Sequence, residues 1–97
     1  MRPSEALELH RDEVREVIGR SRLMNPRIFG SVLHGTDTED SDLDILVDRG
    51  PLGASLFYFG KLERQLEDIL GVKVDLRTPG DLCLMIRKTV VMEARPL

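Results

Sequence analysis

The chain has 97 residues, 41% of them apolar, and a formal net charge of −3, so it is long enough for one domain, 1–97, with one unstapled core. No stretch approaches the roughly 18–20 apolar residues needed to cross a bilayer, and the charged N-terminus lacks the apolar segment of a signal peptide, so a cytoplasmic protein is expected. The acidic balance is the reverse of what a nucleic-acid-gripping surface carries, and it would also repel a polyphosphate unless cations stood between.

In chain order, the segment 4–20 carries Leu7, Val14, Val17 and Ile18 on one face, with Gly19 near its end, which predicts a helix. "PRIFG" (26–30) is short, apolar and bracketed by Pro and Gly, as in a strand. "SVLHG" (31–35) suits one helical turn stopped by Gly35, and "TDTEDS" (36–41) is a loop. In "DLDILVD" (42–48), Leu43, Ile45 and Val47 alternate with Asp42, Asp44 and Leu46, the period of a strand. After the turn "RGPLG" (49–53), the segment 54–70 places Phe59, Leu62, Leu66, Ile69 and Leu70 on one helical face, closed by Gly71. "VKVDLRT" (72–78) alternates again. Thr78 is expected to cap a last helix, with Pro79 at its first position. The order α-β-turn-β-α-β-α makes the chain an α/β protein. Cys83 has no partner for an internal disulfide, and its apolar run (82–86) predicts a buried thiol in a reducing compartment.

Residues two apart on a strand share a face and lie about 7 Å apart at Cα. Asp42 and Asp44 therefore point the same way while Leu43, Ile45 and Val47 fill the core, and Asp75 projects opposite Val74 and Leu76. Taken singly, each aspartate is explained as a solvent-facing acid on a half-exposed sheet. If both strands lie in one sheet, however, three carboxylates converge, and their repulsion implies bound cations. Oxygen-only ligands select hard ions such as Mg²⁺ or Mn²⁺. A calcium loop starting at Asp40 would need Gly and Glu where Ile45 and Pro51 stand. The Asp-x-Asp triplet alone leaves metal-dependent sugar transfer open. Gly30-Ser31 offers free backbone N–H groups and a hydroxyl where a strand meets a helical turn. Alone it would be an ordinary helix cap, but beside the carboxylates it suits a phosphate.

Gly30-Ser31, ten residues, then Asp42-Leu43-Asp44 resembles the signature of the DNA polymerase β-like nucleotidyltransferases. The whole layout, "FGS…G…DSDLDILV", a long helix, "VDL" and a closing helix, is similar to the minimal nucleotidyltransferases that act as antitoxins beside HEPN toxins. The resemblance implies a small mixed β-sheet flanked by helices. It implies Asp42, Asp44 and Asp75 as catalytic ligands of two divalent ions, with Asp75 nearer the acceptor and helping to deprotonate its hydroxyl. Gly30 and Ser31 match the turn that holds the β- and γ-phosphates of ATP. Many relatives carry Arg before the second glycine; here His34 precedes Gly35, so a permanent cation is missing.

The aromatics are Phe29, Phe57, Tyr58 and Phe59, too few for a nucleic-acid surface, so the acceptor is expected on a partner. The resemblance names a HEPN-type ribonuclease toxin, AMPylated on a tyrosine. Two alternatives remain: a non-catalytic antitoxin that blocks the toxin by contact, with "TVVMEARPL" (89–97) as interface, or transfer to a small molecule, whose enzymes usually carry an additional domain. Other charges read as structural. His10 is solvated; Lys73 and Arg77 form strand-face ion pairs, though phosphate is within their chemistry. Arg87 and Lys88 suit a helix C-terminus, Glu39 and Asp48 suit loops, and Lys61, Glu63, Arg64 and Glu67 form a solvated helical face.

Overall fold

The computed structural model describes residues 1–97. The chain runs α1 (Pro3–Gly19), β1 (Leu23–Phe29), α2 (Gly30–His34), β2 (Leu43–Arg49), α3 (Leu56–Leu70), β3 (Val74–Arg77), a 3-10 turn (Pro79–Asp81), α4 (Leu84–Glu93) and β4 (Arg95–Pro96). The strands form one sheet of order β3-β2-β1-β4. β2 is antiparallel to β1 and parallel to β3, and β4 is antiparallel to β1. The sheet is therefore mixed. A parallel pair needs a crossover connection, and α3 supplies it.

Alternation decides which way the sheet faces. Leu43, Ile45 and Val47 of β2 are completely buried and join Ile28, Val74 and Leu76 of the neighbouring strands. Leu7, Val14 and Ile18 of α1 and Phe59, Leu62, Leu66 and Leu70 of α3 complete the same core. Each fully buried aliphatic side chain contributes about 1.5–3 kcal/mol, so the helices are held by these stripes. Ser55 accepts the Tyr58 N–H at 3.2 Å to start α3, and Gly71, at φ 70°, ends it in the left-handed conformation.

The edge strand β3 has an uncommon finish. Val74 N–H donates to Glu67 Oε2 at 3.0 Å, and Leu76 N–H donates to Glu63 Oε2 at 2.9 Å. Both N–H groups point away from β2. Glu63 and Glu67 therefore close the sheet edge instead of forming a solvated face.

The C-terminal part departs from the sequence reading. Thr78 and Pro79 open the 3-10 turn, not the last helix. Asp81 Oδ2 accepts both the Thr78 N–H (3.0 Å) and its hydroxyl (2.9 Å), closing a box after three residues, and α4 starts later. Cys83 lies at that junction and is exposed: Leu82 before it is buried, but α4 buries none of its residues, and Leu84, Met85 and Ile86 face outward. Arg87 falls in the first half of α4, where its guanidinium donates to the Gly80 and Leu82 carbonyls. Asp48 belongs to β2, not a loop, and pairs with Arg27 at 2.8 Å. β4, too short to show a period, returns the chain to the sheet, where Leu97 enters the core and Arg15 Nε donates to its carbonyl at 2.8 Å. No helix is long and apolar enough to cross a membrane.

Candidate active site

The sheet register brings the acids together. Asp44 lies directly across the parallel ladder from Asp75, and across the antiparallel ladder from Phe29. In-register neighbours point to the same face, about 4.8 Å apart between strands. Asp44 and Asp75 thus share the face opposite the core, and Asp42, one residue before β2, is half-buried beside them. Leu46, read with the acids by alternation, is on this face too, yet fully buried: the 3-10 turn packs against β2.

Gly30 and Ser31 open α2 where β1 ends, next to the same acids. Gly30 has φ 75°, and a Cβ built on it would stand 2.3 Å from Asp44 Oδ2. Only a glycine lets the backbone turn here while the carboxylate lies against it. At the other end of α2, Gly35 is again left-handed, and His34 Nε2 lies 3.3 Å from Glu93 Oε2. His34 is therefore engaged with α4. Between α2 and β2, the loop is tied down by Asp37, buried in spite of its charge, whose Oδ2 accepts the Ser4 N–H at 2.9 Å. This carboxylate at the start of α1 satisfies a free N–H and complements the helix dipole. It went unread in the sequence because its partner lies 33 residues away.

Electrostatically the site is frustrated. Burial raises the Asp44 carboxyl, and the charges of Asp75 and Asp42 raise it further, to about 6; Arg77 opposes them. Arg77 Nη2 lies 3.5 Å from Asp75 Oδ2. No three His, Cys, Asp or Glu side chains are gathered around one point as they stand, so the acids share a face without closing into a cage. Asp44 has no ion-pair partner of its own, and the donors are all carboxylate oxygens, the set that hard divalent cations prefer. The residues fit such ions. A cavity of about 420 Å³ between α1 and α3 is lined by Val17, Arg20, Tyr58, Leu62 and Ile69, away from the acids. The carboxylates sit on a more open sheet face.

Comparison with known proteins agrees with this fold. A model of the nucleotidyltransferase domain family matches residues 8–97. Protein adenylyltransferase MntA of Thermococcus cleftensis is 42% identical over 87 residues, covering 90% of this chain and 84% of that protein. A solved structure described as a minimal nucleotidyltransferase superposes with a TM-score of 0.82 at 38% identity, covering 97% of this chain and 95% of that one. An MNT antitoxin in complex with the tri-AMPylated HEPN toxin of Shewanella oneidensis shares the fold, with a TM-score of 0.67 at 19% identity over 92% of this chain and 69% of that one. With a family match over nearly all its length and a close relative aligned along most of both chains, the chain belongs to the nucleotidyltransferase domain family.

Proposed function

We propose that this chain is an antitoxin that transfers AMP from ATP to a tyrosine hydroxyl of a HEPN-type toxin, in the cytoplasm. The carrying observation is the meeting of Asp44 and Asp75 in register with Asp42 alongside and Gly30 packed against Asp44. The relative's name and the AMPylated toxin in the structural neighbour support the acceptor class.

In this reading Asp42, Asp44 and Asp75 hold two divalent ions, Mg²⁺ or Mn²⁺. Such ions, when bound, supply the positive charge that offsets the departing pyrophosphate and acidifies the acceptor hydroxyl. Gly30 N–H and Ser31 hold the β- and γ-phosphates, with Ser31 contributing both its hydroxyl and its N–H. The acceptor oxygen forms a bond to the α-phosphorus, the bond from that phosphorus to the bridging oxygen breaks, and pyrophosphate leaves. Asp75, on the edge strand, faces the acceptor and takes up or relays its proton. The rest of catalysis is positioning and charge, which a chain of this size can supply.

Incubation with labelled ATP, Mg²⁺ and the toxin is the test. Label should move to the toxin with the intact chain and not with Asp42→Ala; equal labelling, or none in either, rejects the reading. A second reading has its own observation: α4 exposes Leu84, Met85 and Met92, so contact alone could block the toxin. Asp44→Asn separates them. Neutralisation that survives this change favours contact; neutralisation that is lost favours transfer.

A further inference from the structure

One guanidinium on the carboxylate face has no partner except a member of the site itself. Arg77 follows Asp75 by one pleat on β3, opposite Leu46, and its side chain is 46% exposed. Apart from the 3.5 Å approach of its Nη2 to Asp75 Oδ2, it makes no hydrogen bond or ion pair. Of the other cations nearby, Arg27 and His34 are committed elsewhere, and Lys73 carries an ammonium rather than a planar fork. Arg27, 12% exposed, is fixed by Asp48 and by the Asn25 carbonyl. His34 is engaged with Glu93. Lys73, two residues before Asp75, is exposed and meets no carboxylate.

This arrangement leaves a half-exposed positive arm beside Asp75, on a face whose acids do not close on one point. A half-exposed pair at 3.5 Å costs little to break. Once cations neutralise the acids, the arm loses its partner just as a polyanion arrives beside it. A guanidinium fork matches phosphate oxygens in pairs, and the helical turn that would seat the phosphates carries no permanent cation of its own. We propose that Arg77 is a resident counter-ion of the carboxylate site, holding Asp75 while the site is metal-free and turning to a phosphate oxygen of the nucleoside triphosphate when divalent cations take the acids. The inference rests on the functional reading above and adds a residue that the triphosphate meets.

Two titrations on the intact chain, Arg77→Met and Arg77→Lys test it: Mn²⁺ alone, followed by electron paramagnetic resonance, and AMP-PNP with Mg²⁺, followed by calorimetry. Arg77→Met should bind Mn²⁺ roughly two- to five-fold more tightly, since a competing cation is gone, and AMP-PNP roughly ten-fold more weakly. Arg77→Lys keeps the charge without the fork, so Mn²⁺ affinity should return to the original value and AMP-PNP affinity only in part. A merely structural ion pair predicts no such opposed shifts. Unchanged or weaker Mn²⁺ binding in Arg77→Met, or unchanged AMP-PNP binding, overturns the proposal. Asp44→Asn separates this from failure of the functional reading. If the intact chain binds Mn²⁺ no better than Asp44→Asn, that reading falls and this one with it. If Asp44→Asn abolishes binding but Arg77→Met leaves it unaltered, only the Arg77 proposal falls.

Discussion

An aspartate whose carboxyl is held near 6 by burial and by two neighbouring acids weakens the metal-free fold whenever it is ionised. Between the ordinary value of 3.8 and about 6, the folded chain binds more protons than the unfolded one, so this group's contribution to stability falls as pH rises through that window. Asp44→Asn should therefore stabilise the chain in EDTA, by roughly 1–2 kcal/mol at pH 8, with the gain shrinking toward pH 4. Urea denaturation at both pH values measures it. A loss of stability at pH 8 would contradict the frustrated site. Gly30→Ala tests the same corner from the other side. Its Cβ must displace the Asp44 carboxylate, and its φ of 75° costs an alanine about 1 kcal/mol. The substitution should lower the melting temperature and weaken Mn²⁺ binding together; a melting shift with intact Mn²⁺ binding would show that Asp44 and the turn are independent.

At the scale of elements, β3 is four residues long and lies at an edge, yet its two outward N–H groups are taken by Glu63 and Glu67 of α3. Losing either acceptor should cost about 1–2 kcal/mol, read by denaturant midpoint. The double change Glu63→Ala with Glu67→Ala should also promote self-association on size-exclusion chromatography, because an open strand edge pairs with others. A double variant that elutes like the original and is as stable would refute the edge-closing role. Helical spacing had marked these glutamates as outward-facing, which is true with respect to the core. Spacing within one helix cannot reveal that a strand edge runs alongside. The shared face of the three aspartates is legible because period two fixes the face and a shared sheet fixes the rest. Asp42, Asp44 and Asp75 needed only that β2 and β3 be neighbours. The C-terminal region is harder to read: Thr78 and Pro79 are valid start signals for an α-helix and for a 3-10 turn alike, and of the apolar neighbours that suggest a buried Cys83, only Leu82 is buried while Leu84, Met85 and Ile86 face water.

At the scale of the molecule, a chain of net charge −3 with three aspartates on the face meant for phosphate should not hold a polyphosphate unaided. AMP-PNP binding should be undetectable in EDTA and appear with Mg²⁺; binding that ignores EDTA would mean the carboxylates are not between protein and nucleotide. The other edge of the sheet depends on a short return, since β4 pairs with β1 and Leu97 enters the core. Leu97→Ala should cost about 2 kcal/mol although it lies on the opposite edge from β3. Between those anchors runs α4, ten residues that bury no side chain of their own, with Met85 90% exposed. Its backbone order is not underwritten by the core, so in deuterated solvent its amides should exchange through local opening, at rates well above those of α1 and α3, which wait for global unfolding. A bound partner that covers α4 would slow that clock in this one segment, giving a footprint of docking that can be read without any chemistry taking place.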